Sequence, residues 1–233
     1  MIFPIGDDNI KGGYYPTISY GILLANVLVF VYEFVLVPDQ AYAITMTYGA
    51  IPAEIMKGED MHTLFTSMFL HGGIWHLLSN MLFLWIFADN IEAVIGSRRF
   101  ILFYLLGGLA AHALHIYLYP ASTIPTVGAS GAIAAVLGAY LVMFPSSRVK
   151  LLFIVFPFRV PAFLFLGFWI VNQWISGTST LSEMNTESAG IAYWAHIGGF
   201  VFGVIAGFYY RATGLHEPQH KRRRSEGPVD YWA

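Results

Sequence analysis

The chain has 233 residues, of which 57% are hydrophobic, 17% aromatic and only 11% charged. A soluble globular domain carries about a quarter charged residues, so this composition excludes a protein with a mainly water-facing surface and indicates a membrane protein. The net charge of −2 says little about partners, and no nucleic-acid partner is expected. The absence of cysteine excludes disulfides, thiolate metal sites and a cysteine nucleophile.

The N-terminal residues read MIFPIGDDNIKGGYYP. They show no cationic region followed by an apolar core and a cleavage site, so we expect no removable signal peptide. Residues 1–16 are predicted to form a short cytoplasmic segment. The first apolar span is then expected to act as its own insertion signal.

Six apolar segments follow along the chain. A helix needs about 20 apolar residues to cross a hydrocarbon core of about 30 Å. The predicted spans are residues 18–37, 76–95, 100–118, 129–144, 161–175 and 191–210. The sequence therefore predicts an all-α, polytopic membrane protein with a six-transmembrane-helix bundle over residues 17–211. The basic tail at residues 212–233 is predicted to be disordered.

Positive charge is distributed unevenly between the two ends of these spans. Eleven of the twelve Lys and Arg residues fall at one face, and only Lys57 falls at the other. The eleven are Lys11, Arg98, Arg99, Arg148, Lys150, Arg159, Arg211 and residues 221–224. The positive-inside rule then places both termini in the cytoplasm. An alternative with five spans, in which 129–144 is re-entrant, moves the charged tail outside and conflicts with that rule.

Three connecting segments have distinct characters. The long loop at residues 38–75 is predicted to be external, with short helices at the membrane interface. The segment VKLLFIVFPFRVP before the fifth span is apolar but irregular. The segment SGTSTLSEMNTESAG after it is polar and is expected to be a mobile loop.

Four polar side chains are predicted to lie at one depth in the membrane. Ser130 opens the fourth span, His196 is the sixth residue of the sixth span, and His76 and Asn80 lie one turn apart at the start of the second. Polar groups at membrane depth are costly and are usually functional. The fourth span is also short, about 24 Å of helix, so it is expected to begin below the surface, with Ser130 at the floor of a hydrated cavity.

A serine hydroxyl needs a neighbouring base to become a nucleophile, and histidine is the usual one. His196 can approach Ser130 because the two spans present small residues that permit close helix packing. These residues are Gly199, Gly203 and Gly207 on the sixth span, and Gly131, Ala134, Ala135 and Gly138 on the fourth.

Acyl transfer also needs hydrogen-bond donors for the oxyanion. The backbone N–H of Ser130 lies at a helix N-terminus, where free N–H groups attract negative charge. The side chains of His76 and Asn80 are further candidates. Gly128 and Gly131 around the serine leave room for a substrate backbone to approach.

Several polar residues have simpler structural explanations. His71 is expected to be interfacial or to support the site, and His112 and His115 are expected to be structural. Asp89 and Glu92 lie at the cytoplasmic end of the second span, far in depth from His196, so no acidic residue completes a triad. Each site residue taken alone could equally be a packing or capping residue.

The combination of motifs resembles the rhomboid family of intramembrane serine proteases over about residues 14–211. The motifs are GASG (128–131), HLLSN (76–80) and AHIGGFVFG (195–203), in that order on six spans. The resemblance implies that Ser130 is the nucleophile, that His196 is the base, and that the side chains of 76 and 80 help to form the oxyanion hole. It also implies a structural role for Glu92 and Gly96.

The resemblance implies an endopeptidase that cleaves in or near transmembrane segments of membrane proteins, with membrane lipids as further partners and no metal or cofactor. A prokaryotic plasma membrane is the expected location. A non-catalytic membrane-protein binder or chaperone is the alternative, and a small transporter or channel is a more distant one.

Two positions depart from the family pattern. His62 and Thr63 stand where many members have a Trp-Arg pair, and Ala134 stands where many members have an aromatic residue that supports the histidine. Some other group must therefore orient His196.

Overall fold

The computed structural model describes residues 2–8, 15–182 and 192–214, and these form a bundle of six long helices with a small sheet at one end. In chain order the elements are β1 (Ile2–Gly6), α1 (Thr17–Val31), α2 (Ala41–Tyr48), α3 (Pro52–Ile55), α4 (Thr63–Thr66), α5 (Ile74–Ile95), α6 (Ser97–Leu118), α7 (Ser130–Met143), β2 (Arg148–Phe153), β3 (Phe156–Pro161), α8 (Ala162–Ser182) and α9 (Tyr193–Thr213).

The prediction of a helical membrane bundle is confirmed. Three helical segments are long and apolar enough to cross a bilayer, namely Thr17–Leu36, Ile74–Ile95 and Ser97–Leu118. Ser130–Met143 is a shorter apolar helix, as predicted from the length of the fourth apolar segment. The six long helices α1, α5, α6, α7, α8 and α9 each overlap one of the six predicted spans, and a π-helical turn at Tyr32–Leu36 extends α1.

Helix α7 lies at the centre of the bundle. Twelve of its fourteen residues are buried, so every face of the helix meets protein. Its sequence, SGAIAAVLGAYLVM, explains this position, because small side chains let neighbouring helices approach closely. Helices α5, α6 and α9 pack around it. Ser130, at its first position, is one of the two residues of α7 that are not buried.

The main feature absent from the sequence prediction is the antiparallel sheet, with strand order β1-β2-β3. Residues expected to be irregular form the hairpin β2–β3, and the N-terminal segment pairs with β2. The sequence carries a weak signal for this, since Val149 and Leu151 alternate with more exposed neighbours and are both buried. The prediction of an irregular segment here was wrong.

Helix α8 is longer than predicted. It continues to Ser182, so the first residues of the segment expected to be a mobile loop are helical. The remainder of that loop, 183–191, lies outside the described residues, as does the tail from 215 onwards. Helix α9 ends at Thr213 and is followed by Gly214, which takes the left-handed conformation common at a helix C-terminus.

The loop between α1 and α5 contains the predicted short helices α2, α3 and α4. It is tied to the segment that leads into α7 by backbone hydrogen bonds. The N–H of Ala50 donates to Thr126 O at 3.0 Å, and the N–H of Thr126 donates back to Ala50 O at 2.8 Å. The N–H of Ala53 also donates to Ser122 O at 3.0 Å. This loop therefore braces the approach to Ser130.

Candidate active site

Ser130 begins α7, two residues after Gly128, whose backbone conformation only glycine adopts readily. Gly128 has φ +125°, and its N–H donates to Ser67 O at 2.9 Å. A Cβ on Gly128 would lie 2.8 Å from the ring of His76, so the position is closed to side chains by packing as well as by backbone conformation. The glycine allows the chain to turn sharply beneath His76 and to start the helix at the serine.

The hydroxyl of Ser130 and the imidazole of His196 are within hydrogen-bonding distance. Ser130 Oγ lies 2.8 Å from His196 Nε2. The glycine face of α9 makes this approach possible, because Gly199 packs directly against the backbone of Gly131. Helices α7 and α9 therefore pack against each other through their small residues, as expected.

The other ring nitrogen of His196 meets a side chain from α8. His196 Nδ1 lies 2.7 Å from Gln173 Oε1. The ring of Trp169, one turn earlier on α8, lies against the imidazole, with ring centroids 5.8 Å apart and planes at 34°. These two residues contact His196 in place of an aromatic residue at position 134, where the structure has a buried alanine.

A second group of polar side chains lies beside Gly128. A Cβ on Gly128 would be 2.8 Å from His76 Nε2 and 3.6 Å from Asn80 Nδ2, so both donors face the backbone two residues before the serine. Asn80 Nδ2 donates to His71 Nε2 at 2.9 Å. Burial lowers the pKa of His71 to about 4, with His76 adding to this shift, so His71 is neutral at pH 7 and can accept this bond.

The site opens into a cavity of about 1080 Å³. Its lining includes Ser130, His196, His76, Asn80 and Trp169. The cavity is large enough to admit several residues of an extended peptide rather than a single small molecule. Ser130 lies in the wall of this cavity, at the start of the short helix α7.

Beyond the central pair, the structure brings together all the other residues that the sequence singled out. His76, Asn80 and Gly128 line the same cavity, Gly131 lies one position after Ser130, and His71 is buried behind Asn80. Gln173 and Trp169 were not identified. Gln173 carried a signal in the sequence, because a glutamine within an apolar membrane span is itself a polar residue at membrane depth.

The polar residues that were expected to be structural also have identifiable partners. His112 Nε2 lies 3.1 Å from Ser67 Oγ, and the ring of His115 lies against Tyr119 with centroids 5.2 Å apart. His112 and His115 also line the cavity, on the side formed by α6. Glu92 accepts hydrogen bonds from the first turn of α1, which agrees with the structural role expected for it.

The fold and the site define a polytopic helical membrane protein with a serine–histidine pair that faces an internal cavity. Residues 58–213 match the family model described as "Rhomboid domain". This match covers more than half of the chain, and the chain belongs to the rhomboid family. The motifs that carried the resemblance lie within the matched region.

Individual relatives agree with this membership. "Rhomboid protein 1, mitochondrial" of Saccharomyces cerevisiae is 32% identical over 67% of this chain and 43% of its own length. "Presenilin-associated rhomboid-like protein, mitochondrial" of Homo sapiens is 29% identical over 79% of this chain and 46% of its own length. "Rhomboid protease GluP" of Bacillus subtilis is 30% identical over 82% of this chain and 34% of its own length. The chain spans less than half the length of these three relatives.

Proposed function

We propose that the protein is an intramembrane serine endopeptidase that uses Ser130 and His196 as a catalytic dyad. The observation that carries the proposal is the 2.8 Å separation of Ser130 Oγ and His196 Nε2 at the N-terminus of a buried helix, beside the cavity. A serine in a lipid-facing or purely packing role needs no imidazole at its hydroxyl. The name of the Bacillus subtilis relative, a rhomboid protease, supports the same activity.

The chemistry follows from this pair. Ser130 Oγ attacks the carbonyl carbon of the scissile peptide bond while its proton moves to His196 Nε2. The C–N bond then breaks as the protonated imidazole returns that proton to the leaving amine, which leaves an acyl ester on the serine. Water, deprotonated by the same imidazole, hydrolyses the ester, releases a carboxylic acid and restores the hydroxyl.

The negative charge of the tetrahedral intermediate requires donors near the serine. The backbone N–H of Ser130 is in the first turn of α7, where N–H groups have no partner within the helix. The side chains of Asn80 and His76 approach the same place from α5. We propose that these three groups form the oxyanion hole.

The proposed substrates are transmembrane segments of membrane proteins. The active serine lies within a helical membrane bundle, and a helix hides its carbonyl groups in internal hydrogen bonds. A segment that unwinds easily, with small residues at the cleavage position, fits such a site best. Gly128 and Gly131 support the site by close packing, because a Cβ on Gly128 would lie 2.8 Å from the His76 ring and a Cβ on Gly131 would lie 2.6 Å from Ala111 Cβ.

Fluorophosphonate labelling of the detergent-solubilised protein tests the dyad. The wild-type protein should be labelled, and Ser130→Ala and His196→Ala should not be. Ser179→Ala and His62→Ala are matched controls, because Ser179 bonds to a carbonyl of its own helix and His62 is exposed. Labelling should persist in both. A folded wild-type protein that takes no label would contradict the proposal and favour a non-catalytic binder.

We further infer that residues 17–211 form the membrane domain and that segments 1–16 and 212–233 lie on one side of the membrane. The supporting observation is the asymmetry of positive charge. Because the chain has no cysteine, Lys57→Cys and Arg159→Cys can each be labelled with an impermeant maleimide from one side of a vesicle. The two cysteines should label from opposite sides. Labelling of both from the same side would contradict this topology.

The relatives point to more than one cellular compartment. Two of the three relatives described are named mitochondrial, which weakens the expectation of a prokaryotic plasma membrane. The relative from Bacillus subtilis shows that the family also occurs in a bacterium. We therefore propose a membrane location and the charge-defined orientation, without a particular compartment.

A further inference from the structure

We infer that Gln173 is a positioning residue for His196, one that fixes which ring nitrogen carries the proton. This inference rests on the proposed function of Ser130 and His196. It assigns a third residue to the site, from α8, which neither the family motifs nor the similarity to relatives identifies.

The direction of the hydrogen bond between Gln173 and His196 determines the tautomer of the imidazole. An amide oxygen can only accept, so Gln173 Oε1, 2.7 Å from His196 Nδ1, requires a proton on Nδ1. In a neutral imidazole the other nitrogen then carries the lone pair. That nitrogen is Nε2, 2.8 Å from Ser130 Oγ, where a base must accept a proton. Gln173 therefore selects the tautomer that the dyad needs.

Two side chains of α8 orient the imidazole ring of His196. Trp169 and Gln173 are four residues apart on α8, so they lie on one face of that helix. Trp169 restricts movement of the imidazole out of its plane, and Gln173 restricts rotation within it. Both restraints come from α8, whereas the nucleophile and the base come from α7 and α9. A displacement of α8 would release the imidazole from both restraints.

Among the residues that the structure describes, no acidic side chain hydrogen-bonds to the imidazole of His196. The hydrogen-bonded neighbours of the His196 imidazole, among the residues that the structure describes, are Gln173 and Ser130. An amide in this position provides orientation without a buried negative charge, which would be costly at membrane depth. The site thus has a neutral orienting group where soluble serine proteases use an aspartate.

Two variants separate the hydrogen bond from side-chain volume. Gln173→Met keeps a similar length and removes the acceptor, whereas Gln173→Glu keeps an acceptor oxygen. Asn172→Met is the matched control, because Asn172 is exposed and bonds to Phe168 O of its own helix at 2.8 Å. Fluorophosphonate labelling rates and kcat and KM for a transmembrane peptide are compared, with Tm measured for every variant.

We expect Gln173→Met to lower the labelling rate and kcat about tenfold, the value of one lost hydrogen bond, with KM and Tm little changed. Gln173→Glu should retain more activity than Gln173→Met, and Asn172→Met should match the wild type. A Gln173→Met variant as active as the wild type would overturn the inference. So would equal losses in the Met and Glu variants at unchanged Tm.

A spectroscopic measurement is independent of activity. In protein labelled with ¹⁵N-histidine, the His196 signals are assigned by their loss in His196→Ala. The wild type should show a protonated Nδ1 and a bare Nε2, and Gln173→Met should show a mixture of the two tautomers. Identical spectra would overturn the inference. If the wild-type protein shows no Ser130-dependent labelling, the proposed function fails, but this spectrum still decides the role of Gln173.

Discussion

Gly199 of α9 packs against the main-chain carbonyl of Gly131 on α7 so closely that a methyl group on Gly199 would overlap that oxygen. Gly131 follows Ser130 directly, and Gly199 lies one turn after His196. The glycine contact therefore sets the distance between the serine and the imidazole. Gly203 repeats the contact one turn further along, against the carbonyl of Ala135.

Substituting Gly199 by alanine should push the two helices apart and lengthen the distance between Ser130 Oγ and His196 Nε2. We expect a destabilisation of about 1–3 kcal/mol from overpacking and a labelling rate well below that of the wild type. Gly21→Ala is the control, because nothing lies within 4 Å of a Cβ at that position. It should leave Tm unchanged or slightly higher, since alanine favours the helix. A fully active, fully stable Gly199→Ala would contradict this account.

The oxyanion donors give a second prediction. Asn80→Ala should lower kcat by about 10²–10³ with a smaller change in KM, because the donor acts mainly on the charged intermediate. Leu78→Ala on the same helix is the control, since Leu78 is half exposed on the outer surface of the bundle. It should retain wild-type kinetics. An effect of Asn80→Ala on KM alone would assign Asn80 to substrate binding instead.

Much of this site is predictable from sequence because its residues stand in motifs at one depth. Ser130, His196, His76 and Asn80 could be placed together from span order and length alone. The contact between α7 and α9 followed from matching stripes of small residues. Such patterns repeat at short, regular intervals, so they can be read directly from one sequence.

The parts that were missed depend on relationships that the sequence does not display. Gln173 reaches His196 through the rotation of α8, which periodicity does not determine. Strand β1 pairs with residues about 150 positions away along the chain. Helix α8 continues through a polar stretch, in which the hydroxyls of Thr178 and Ser179 donate back to Ile175 O of the same helix, at 2.9 and 3.0 Å. Composition alone therefore suggested a loop where a helix exists.

A third prediction concerns the anchoring of α1. The carboxylate of Glu92 accepts hydrogen bonds from Ile18 N at 3.1 Å, from Ser19 N at 2.7 Å, from Ser19 Oγ at 2.7 Å and from Ser97 Oγ at 2.6 Å. It therefore satisfies donors in the first turn of α1, where a negative charge is also favoured. Glu92 is buried, and its loss removes the carboxylate that accepts from the backbone N–H groups of Ile18 and Ser19.

Glu92→Ala should therefore destabilise the protein by roughly 3 kcal/mol, in line with hydrogen bonds to a charged group. Ser19→Ala removes one of the four bonds and leaves the backbone donors in place, so it should cost about 1 kcal/mol. Thermal unfolding in detergent measures both. Equal effects of the two substitutions would show that the carboxylate does not hold α1 through these bonds.

The last prediction concerns pH and the attachment of the sheet. Asp7 follows β1 and is buried against the bundle, where Oδ2 accepts hydrogen bonds from Asn90 Nδ2 at 2.9 Å and from the hydroxyl of Tyr140. Burial raises the pKa of Asp7 to about 6, and the nearby carboxylate of Asp8 adds to this rise, against the opposing effects of the Tyr140 hydrogen bond and of Lys150.

Because the folded-state pKa of Asp7 exceeds its ordinary value of 3.8, the folded protein binds this proton more tightly than the unfolded chain does. The contribution to stability is full below about pH 4 and is lost as the pH rises through about 6. A rise in pKa from 3.8 to about 6 corresponds to about 3 kcal/mol of folding free energy.

Asp7→Asn should therefore gain stability relative to the wild type as the pH rises from about 4 to about 7. The difference in Tm between the two proteins reports the titration of Asp7 together with its coupling to the charges of Asp8, Asp89 and Lys150, and Asp39→Asn, at an exposed position, serves as the control. Parallel Tm curves for wild type and Asp7→Asn would contradict the assignment, because an uncharged amide cannot follow the titration of a buried carboxyl.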